Sequence, residues 1–298
     1  MDEPAHSGRD GHAGRPGAGG SRGGVGRAAW RAGRIVLAAY LCWCLVLSAC
    51  QSSMIFPRFA AGPALPEGAM PRGVERWWLD AGDGVRVEAW YFAPAGVGSA
   101  RAPAAVIFHG NGELIDHVTD YAQWYQRRGF AVLMPEYRGY GRSGGAPSER
   151  AIVEDARAFH ARLLARPEVD GSRVVFHGRS LGAAVAAQVA AEHAPAALVL
   201  ESPFVSINAM ASRYMVPGFL VRHPFRTDRV LPKLGRPVLI LHSTEDEIVP
   251  YSHGRRLHEM TPGSKLVDLS GSHNGALSEQ PQYWASVEAL LRESGVEN

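Results

Sequence analysis

Arg173-Val-Val-Phe-His-Gly-Arg-Ser-Leu-Gly-Ala-Ala-Val-Ala-Ala187 is the stretch whose reading decides the fold. Its first half, Arg173 to Phe176, is an apolar run rich in β-branched residues, the signature of a buried strand. Its second half is nearly pure alanine and valine and predicts a buried helix from Ser180 to about His193. Between them stands Gly178-Arg-Ser180-Leu-Gly182, which fits G-x-S-x-G in strand–turn–helix context. A serine there must sit on a strained turn to project its hydroxyl. Glycines at 178 and 182 let neighbouring backbone crowd past, and the following helix N-terminus contributes a positive field. The structural alternative is a Gly-Ser turn with Ser180 as a mere helix cap.

Outward from this turn the chain alternates. Val74–Leu79 and Val85–Phe92 read as a hairpin around the turn residues Asp80-Ala-Gly-Asp-Gly84. Ala105–Phe108, Phe130–Met134, Ala197–Leu200, Val238–Leu241 and Lys265–Leu269 are further apolar strands. Helical stretches are predicted over about Ile115–Arg128, Ser148–Ala165 and Pro281–Leu291. Strands without polar alternation, separated by helices, predict a mostly parallel sheet covered on both faces, the α/β-hydrolase fold. The rhythm breaks between Pro203 and Pro237, a segment holding Tyr214, Met215, Pro217, Phe219 and Phe225. Residues 203–237 are therefore a candidate cap within a catalytic domain spanning 74–298.

Acyl transfer needs backbone N–H donors aimed at a developing oxyanion. One is expected from Leu181, just after the nucleophile, and the other from Asn111 in His109-Gly-Asn-Gly112, which follows the strand ending at Phe108. The plainer reading of that motif is a turn. Asp246 lies in a loop after Val238–Leu241, and His273 lies in Ser-Gly-Ser-His273-Asn-Gly after the last strand. The chain order Ser180, Asp246, His273 is the order this fold requires. Glu245, Glu247 and Glu201 compete for the role of acid. His177, His242 and His109 read as packed or bracing residues.

The motifs His109-Gly-Asn-Gly112, Tyr137-Arg-Gly-Tyr-Gly-Arg-Ser-Gly144, Gly178-Arg-Ser-Leu-Gly182, Leu200-Glu-Ser-Pro-Phe204, Asp246 and Ser272-His-Asn274 together resemble those of the membrane-anchored α/β-hydrolases. That group includes bacterial esterase-like proteins and eukaryotic protein depalmitoylases, and the similarity spans about Met54 to Leu291. The resemblance implies a serine hydrolase acting on small-molecule or lipid-like acyl substrates, a palmitoyl group among them. A peptidase or amidase with the same triad, and a catalytically silent binding protein, are the rival readings.

The 298 residues carry a formal net charge of +2, and no basic groove with interleaved aromatics is visible, so nucleic acid is not an expected partner. Neither a cofactor nor a metal is expected. Gly139-Tyr-Gly-Arg-Ser-Gly144 matches G-x-G-x-x-G, but Gly145-Ala-Pro147 intervenes before any helix. Leu257-His-Glu-Met260 lacks the second histidine of a zinc helix. All three cysteines, Cys42, Cys44 and Cys50, precede Gln51, so the remainder holds no disulfide. Nothing in the sequence fixes an oligomeric state.

Residues 1–34 are rich in glycine and arginine, which predicts a disordered basic region. Ile35 to Cys50 is almost purely apolar and follows Arg27, Arg31 and Arg34, the layout of a signal or anchor. It ends in Leu47-Ser-Ala-Cys50, which resembles a bacterial lipoprotein signal. The expectation is cleavage before Cys50, lipidation of its thiol, residues 1–49 as the signal region, 50–73 as a linker, and a hydrolase facing the periplasm or cell exterior. An uncleaved anchor helix is the alternative.

Overall fold

The computed structural model describes residues 22–95 and 101–297, so most of the basic region read as disordered lies outside the described residues. The chain divides into two compact units, Met1–Val46 and Leu47–Asn298. Helix α1 (Arg22–Ile55) accounts for the described part of the first. Within it Arg27–Ile55, 29 residues that include an 18-residue stretch of mean hydropathy 1.9, is long and apolar enough to cross a membrane; a signal sequence has the same character. Residues 22–34 are helical, and the helix continues five residues past Cys50, where a linker was expected. The reason for the second difference is long-range, since Gln51 bonds to backbone at Leu220 and Arg222.

The second unit is built on one eight-stranded sheet. Its strands are β1 (Val74–Asp80), β2 (Arg86–Phe92), β3 (Ala102–Phe108), β4 (Ala131–Pro135), β5 (Val169–Arg179), β6 (Ala197–Glu201), β7 (Val238–Ser243) and β8 (Lys265–Leu269). The order is β1-β2-β4-β3-β5-β6-β7-β8. β1 pairs antiparallel with β2, and β2 with β4; every later pair is parallel. The helices are α2 (Thr119–Gln126), α3 (Glu149–Leu164), α4 (Leu181–Ala190), α5 (Ile207–Ser212), α6 (Thr227–Val230), α7 (Ser252–Met260) and α8 (Pro281–Glu293). This is the α/β-hydrolase fold that the alternation predicted.

Alternation along each strand divides the core into two layers. Val106 and Phe108 of β3, Val174 and Phe176 of β5, and Leu198 and Leu200 of β6 pack with α3 and α4. Ile107, Val175 and Val199 face the opposite side, against Tyr125 of α2 and Tyr283, Val287 and Leu291 of α8. A period of two with both sets apolar is what burial on both faces demands. Helix α7 escapes the sequence reading because only Gly254 and Leu257 are buried in it.

The chain leaves β3 toward β4 on one side and returns to β5 on the other. The crevice beyond the carboxyl ends of β3 and β5 is thus a topological switch point, the usual ligand position in open α/β sheets. Phe108 at the end of β3 sits opposite Gly178 of β5, and Glu201 of β6 opposite Leu241 of β7. The loops carrying the singled-out residues therefore emerge along one edge. Helix α4 is seated directly against the end of β3: a Cβ on Gly182 would collide with the carbonyl oxygen of Phe108, and one on Gly178 with the backbone of Gly182. Gly182→Ala is expected to destabilise the chain by about 2 kcal/mol or more, because backbone rather than a flexible side chain must yield. A melting temperature within about 1 °C of wild type would contradict this packing.

Candidate active site

Ser180 occupies the turn between β5 and α4 with φ 51° and ψ −111°. A non-glycine residue at such dihedrals is strained, and it persists only where the surroundings hold it. Here the Ser180 N–H donates to Glu201 O at 2.8 Å, and Ala183 N closes the first turn onto Ser180 O at 3.1 Å. The hydroxyl is thereby turned away from the helix and toward the loop after β8.

His273 in that loop lies with Nε2 3.0 Å from Ser180 Oγ and Nδ1 2.7 Å from Asp246 Oδ2. All three residues are buried. The tautomer follows from the partners: an ionised carboxylate only accepts, so Nδ1 carries the proton, and Nε2 is left to accept from the serine. Burial pushes the Asp246 carboxyl up, but hydrogen bonds from His242 and His273, with the charge of His273 and the backbone N–H of Val249, hold it below the usual carboxylate range. Its other oxygen accepts from Ile248 N at 3.0 Å and Val249 N at 2.7 Å. Asp246 is thus an anion at neutral pH, fixed on both oxygens.

The competing acids occupy other positions. Glu245 accepts from the Gly271 N–H at 3.0 Å and Glu247 from the His273 N–H at 3.0 Å. Three consecutive carboxylates thus hold the histidine loop, but only the middle one reaches the imidazole. Glu201 is buried among Tyr121 OH at 2.7 Å, Tyr283 OH at 2.5 Å and Arg179 Nε at 3.0 Å. Among the other histidines, His177 lies between Tyr125 OH at 3.0 Å and Tyr283 OH at 2.9 Å, and burial lowers its pKa to about 3. His242 holds Val249 O at 2.9 Å. His109 stacks on Tyr137 and meets Glu136 at 2.8 Å, bracing the loop after β3.

Asn111, Ser180 and Leu181 line one cavity of about 240 Å³. Leu181 opens α4, so its N–H has no partner within the helix. The Asn111 side chain accepts from Tyr140 OH at 3.0 Å, and the neighbouring Gly110 N–H donates to Glu113 at 2.6 Å. The remaining wall is mostly apolar: Phe204, Ile207, Met210, Val216 and Leu220 from the 203–237 segment, and Ile248 and Val249 after Asp246. Ile248 and Val249 could have been found in the sequence as an apolar pair beside the acid. Leu47, Ser48, Gln51, Met54 and Ile55 also line it, with no sequence signal to mark them. Cys50, the residue singled out for lipidation, is exposed on α1. The Gly139–Gly144 loop is a turn, closed by Gly139 N to Gly144 O at 2.9 Å. Among the described residues no group of three metal-ligating side chains assembles.

Arg179 also went unnoticed in the sequence. Its guanidinium donates to Glu201 at 3.0 Å and to the His273 carbonyl at 3.0 Å, and pairs with Glu113, which in turn holds the Gly110 N–H. One planar fork thereby joins the Ser180 turn, the loop after β3 and the histidine loop. Arg179→Met is expected to raise backbone hydrogen exchange at Gly110–Glu113 and Gly271–Asn274 by about tenfold, with α3 and α8 unchanged. Unaltered exchange in both loops would mean that other contacts hold them.

A family model described as serine aminopeptidase, S33 matches residues 100–234. The α/β-hydrolase domain-containing protein WAV2 of Arabidopsis thaliana is 34% identical over 232 residues, covering 70% of this chain and 75% of that protein. The lysophosphatidylserine lipase ABHD12 of Danio rerio is 27% identical, covering 83% of this chain and 76% of its own length. In three dimensions, the Pyrococcus furiosus esterase Pf2001 superposes with a TM-score of 0.61 at 17% identity, over 78% of this chain and 96% of that one. Sheet order, strained serine turn and sequence similarity along two-thirds of the chain agree, and the chain belongs to the α/β-hydrolase domain family.

Proposed function

We propose that this protein is a serine hydrolase that cleaves acyl esters through an acyl-enzyme, with Ser180 as nucleophile, His273 as base and Asp246 as the acid that orients it. The observation that carries the reading is the hydrogen-bonded series Ser180 Oγ, His273 Nε2, His273 Nδ1, Asp246 Oδ2 opening into an apolar cavity. In the proposed reaction His273 takes the hydroxyl proton as Ser180 attacks the acyl carbonyl. The N–H groups of Leu181 and Asn111 stabilise the oxyanion. His273 then protonates the leaving alcohol, and water, activated by the same imidazole, releases the acid.

An aminopeptidase reading is favoured by the description of the matching family model. The cavity argues for esters instead. Its described lining holds no carboxylate to neutralise a peptide α-amino group, whereas Met210, Leu220 and Ile248 suit an acyl chain. The 203–237 segment would then be the cap over that chain. Ser180→Ala, His273→Ala and Asp246→Asn are each expected to lower ester turnover by on the order of 10³-fold or more, and non-additively, because the residues act as a unit. The check is kinetics on esters of graded acyl length beside aminoacyl amides. Turnover by Ser180→Ala close to wild type refutes the assignment; faster cleavage of the amides refutes the ester reading.

For the N-terminal segment, membrane attachment through lipid on Cys50 is the reading that Leu47-Ser-Ala-Cys50 supports. Gln51 after the cysteine resembles the pattern sorted to the outer membrane in diderm bacteria. The continuous helix through Cys50 favours, as second reading, an uncut anchor. Intact mass of membrane-extracted protein separates them. The first expects a chain beginning at a lipid-modified Cys50, lost in Cys50→Ala; an unprocessed, unlipidated chain of full mass refutes it.

A further inference from the structure

The turn at the end of α1 was expected to be a tether. Its contacts are those of a binding-site wall. Gln51, Met54 and Ile55 line the cavity that holds Ser180, opposite the side chains of the 203–237 segment. The Gln51 carboxamide bonds mainly to backbone: Nε2 donates to Ser48 O at 3.0 Å and to Leu220 O at 3.0 Å, with Ser48 Oγ at 3.5 Å, and Oε1 accepts from Arg222 N at 2.7 Å. It thus fastens the stretch at Leu220–Arg222 at both a donor and an acceptor. Below it Ser52 Oγ lies 3.4 Å from His223 Nε2, and the buried Phe56 ring packs edge-on against His223 and Phe225. Phe225 itself is fully buried at a φ of 41°, a conformation that this packing must hold.

These contacts adjoin the least buried part of the 203–237 segment. Its helix α5 is six residues long and has no buried residue, and Tyr214, Met215 and Phe219 are exposed. A six-residue helix has no stability of its own in water. Its position over Ser180 must come from neighbours: at the Leu220–Phe225 end these are the chain from Gln51 to Phe56 and Glu149 of α3, which accepts from the Phe225 N–H at 2.9 Å and donates its own N–H to His223 at 3.4 Å.

We propose that Gln51, Met54 and Ile55 are specificity-determining residues: they complete the acyl pocket and lock its cap, so that the preference for acyl length is set partly by the segment preceding the hydrolase domain. The proposal rests on the acyl-hydrolase reading above. It uses only residues that follow Cys50 and are therefore present whether or not the chain is cut there.

The test is the full-length chain in nonionic detergent micelles, assayed on acetate, octanoate and dodecanoate esters of one alcohol. The readout is the ratio of kcat/KM for dodecanoate to that for acetate. Gln51→Ala frees the cap, and Met54→Trp narrows the cavity at a half-exposed position that tolerates bulk. Each is expected to lower the ratio by about tenfold, the scale on which a hydrophobic pocket discriminates chain length. A thermal melt accompanies each variant. If Gln51→Ala does not fold, Met54→Trp decides alone. An active wild-type chain whose ratio is unmoved in every folded variant overturns this proposal and leaves the esterase reading intact. A wild-type chain that hydrolyses none of the esters refutes the esterase reading and this proposal with it.

Discussion

The approach of α4 to the end of β3 is the constraint on which the rest of the site depends. Gly182 lies so close to Phe108 O that no side chain fits between them. That closeness brings the Leu181 N–H, at the positive end of a helix, beside the loop that carries Asn111. It also forces the sharp reversal at Ser180, whose positive φ is the local cost of turning from strand to helix within one residue. Strain at this one residue is held by bonds from two directions: the Ser180 N–H to β6 and the start of α4 to the Ser180 carbonyl. A looser turn would let the hydroxyl rotate into the ordinary capping role, where it would satisfy a helix N–H and point away from His273.

Much of this was legible in the chain itself. Strands β3, β6 and β7, and β5 over Val174–Phe176, are largely apolar runs because they are buried on both faces, and a run of that kind reads the same in sequence as in space. The serine turn was legible because its glycines are required by backbone collisions a few residues away. Helix α7 was not. Ser-His-Gly-Arg-Arg-Leu-His-Glu-Met presents only Leu257 and a glycine to the core, and that glycine is there because His242 leaves no room for a Cβ. The extension of α1 through Gln51-Ser-Ser was hidden for a related reason. Those residues favour turns and caps in isolation, and the partners that hold them in place lie about 170 positions later in the chain.

Arg179 shows how polar residues at such a site divide between chemistry and placement. It is adjacent to the serine, yet its guanidinium faces away from the cavity, into Glu113, Glu201 and a backbone carbonyl. A lysine could satisfy one of these partners. Only a rigid fork meets all three at once, which is why the loops from β3 and β8 can be held in register with the turn after β5. The coupling is geometric: a shift of the histidine loop moves His273 relative to Ser180, and a shift at Gly110 moves the backbone beside Asn111.

Four carboxylates near the edge of the sheet could have partnered His273; burial sets the exposed Glu245 and Glu247 apart from Asp246 but not Glu201, which is at least as buried. What separates them is the direction and saturation of their hydrogen bonds. Glu201 already accepts from two phenols and a guanidinium, so its lone pairs are satisfied by donors other than the imidazole. Glu245 and Glu247 are engaged by main-chain N–H groups and steady the loop. Asp246 alone has one oxygen satisfied by backbone and the other turned to an imidazole. Its lowered pKa follows, since two histidines and the Val249 N–H favour the anion more than burial penalises it. An anion kept at that position favours the Nδ1–H tautomer of His273 and would stabilise an imidazolium if Nε2 took a proton. On the triad reading proposed above, Asp246 would work through orientation and charge without giving up or gaining a proton.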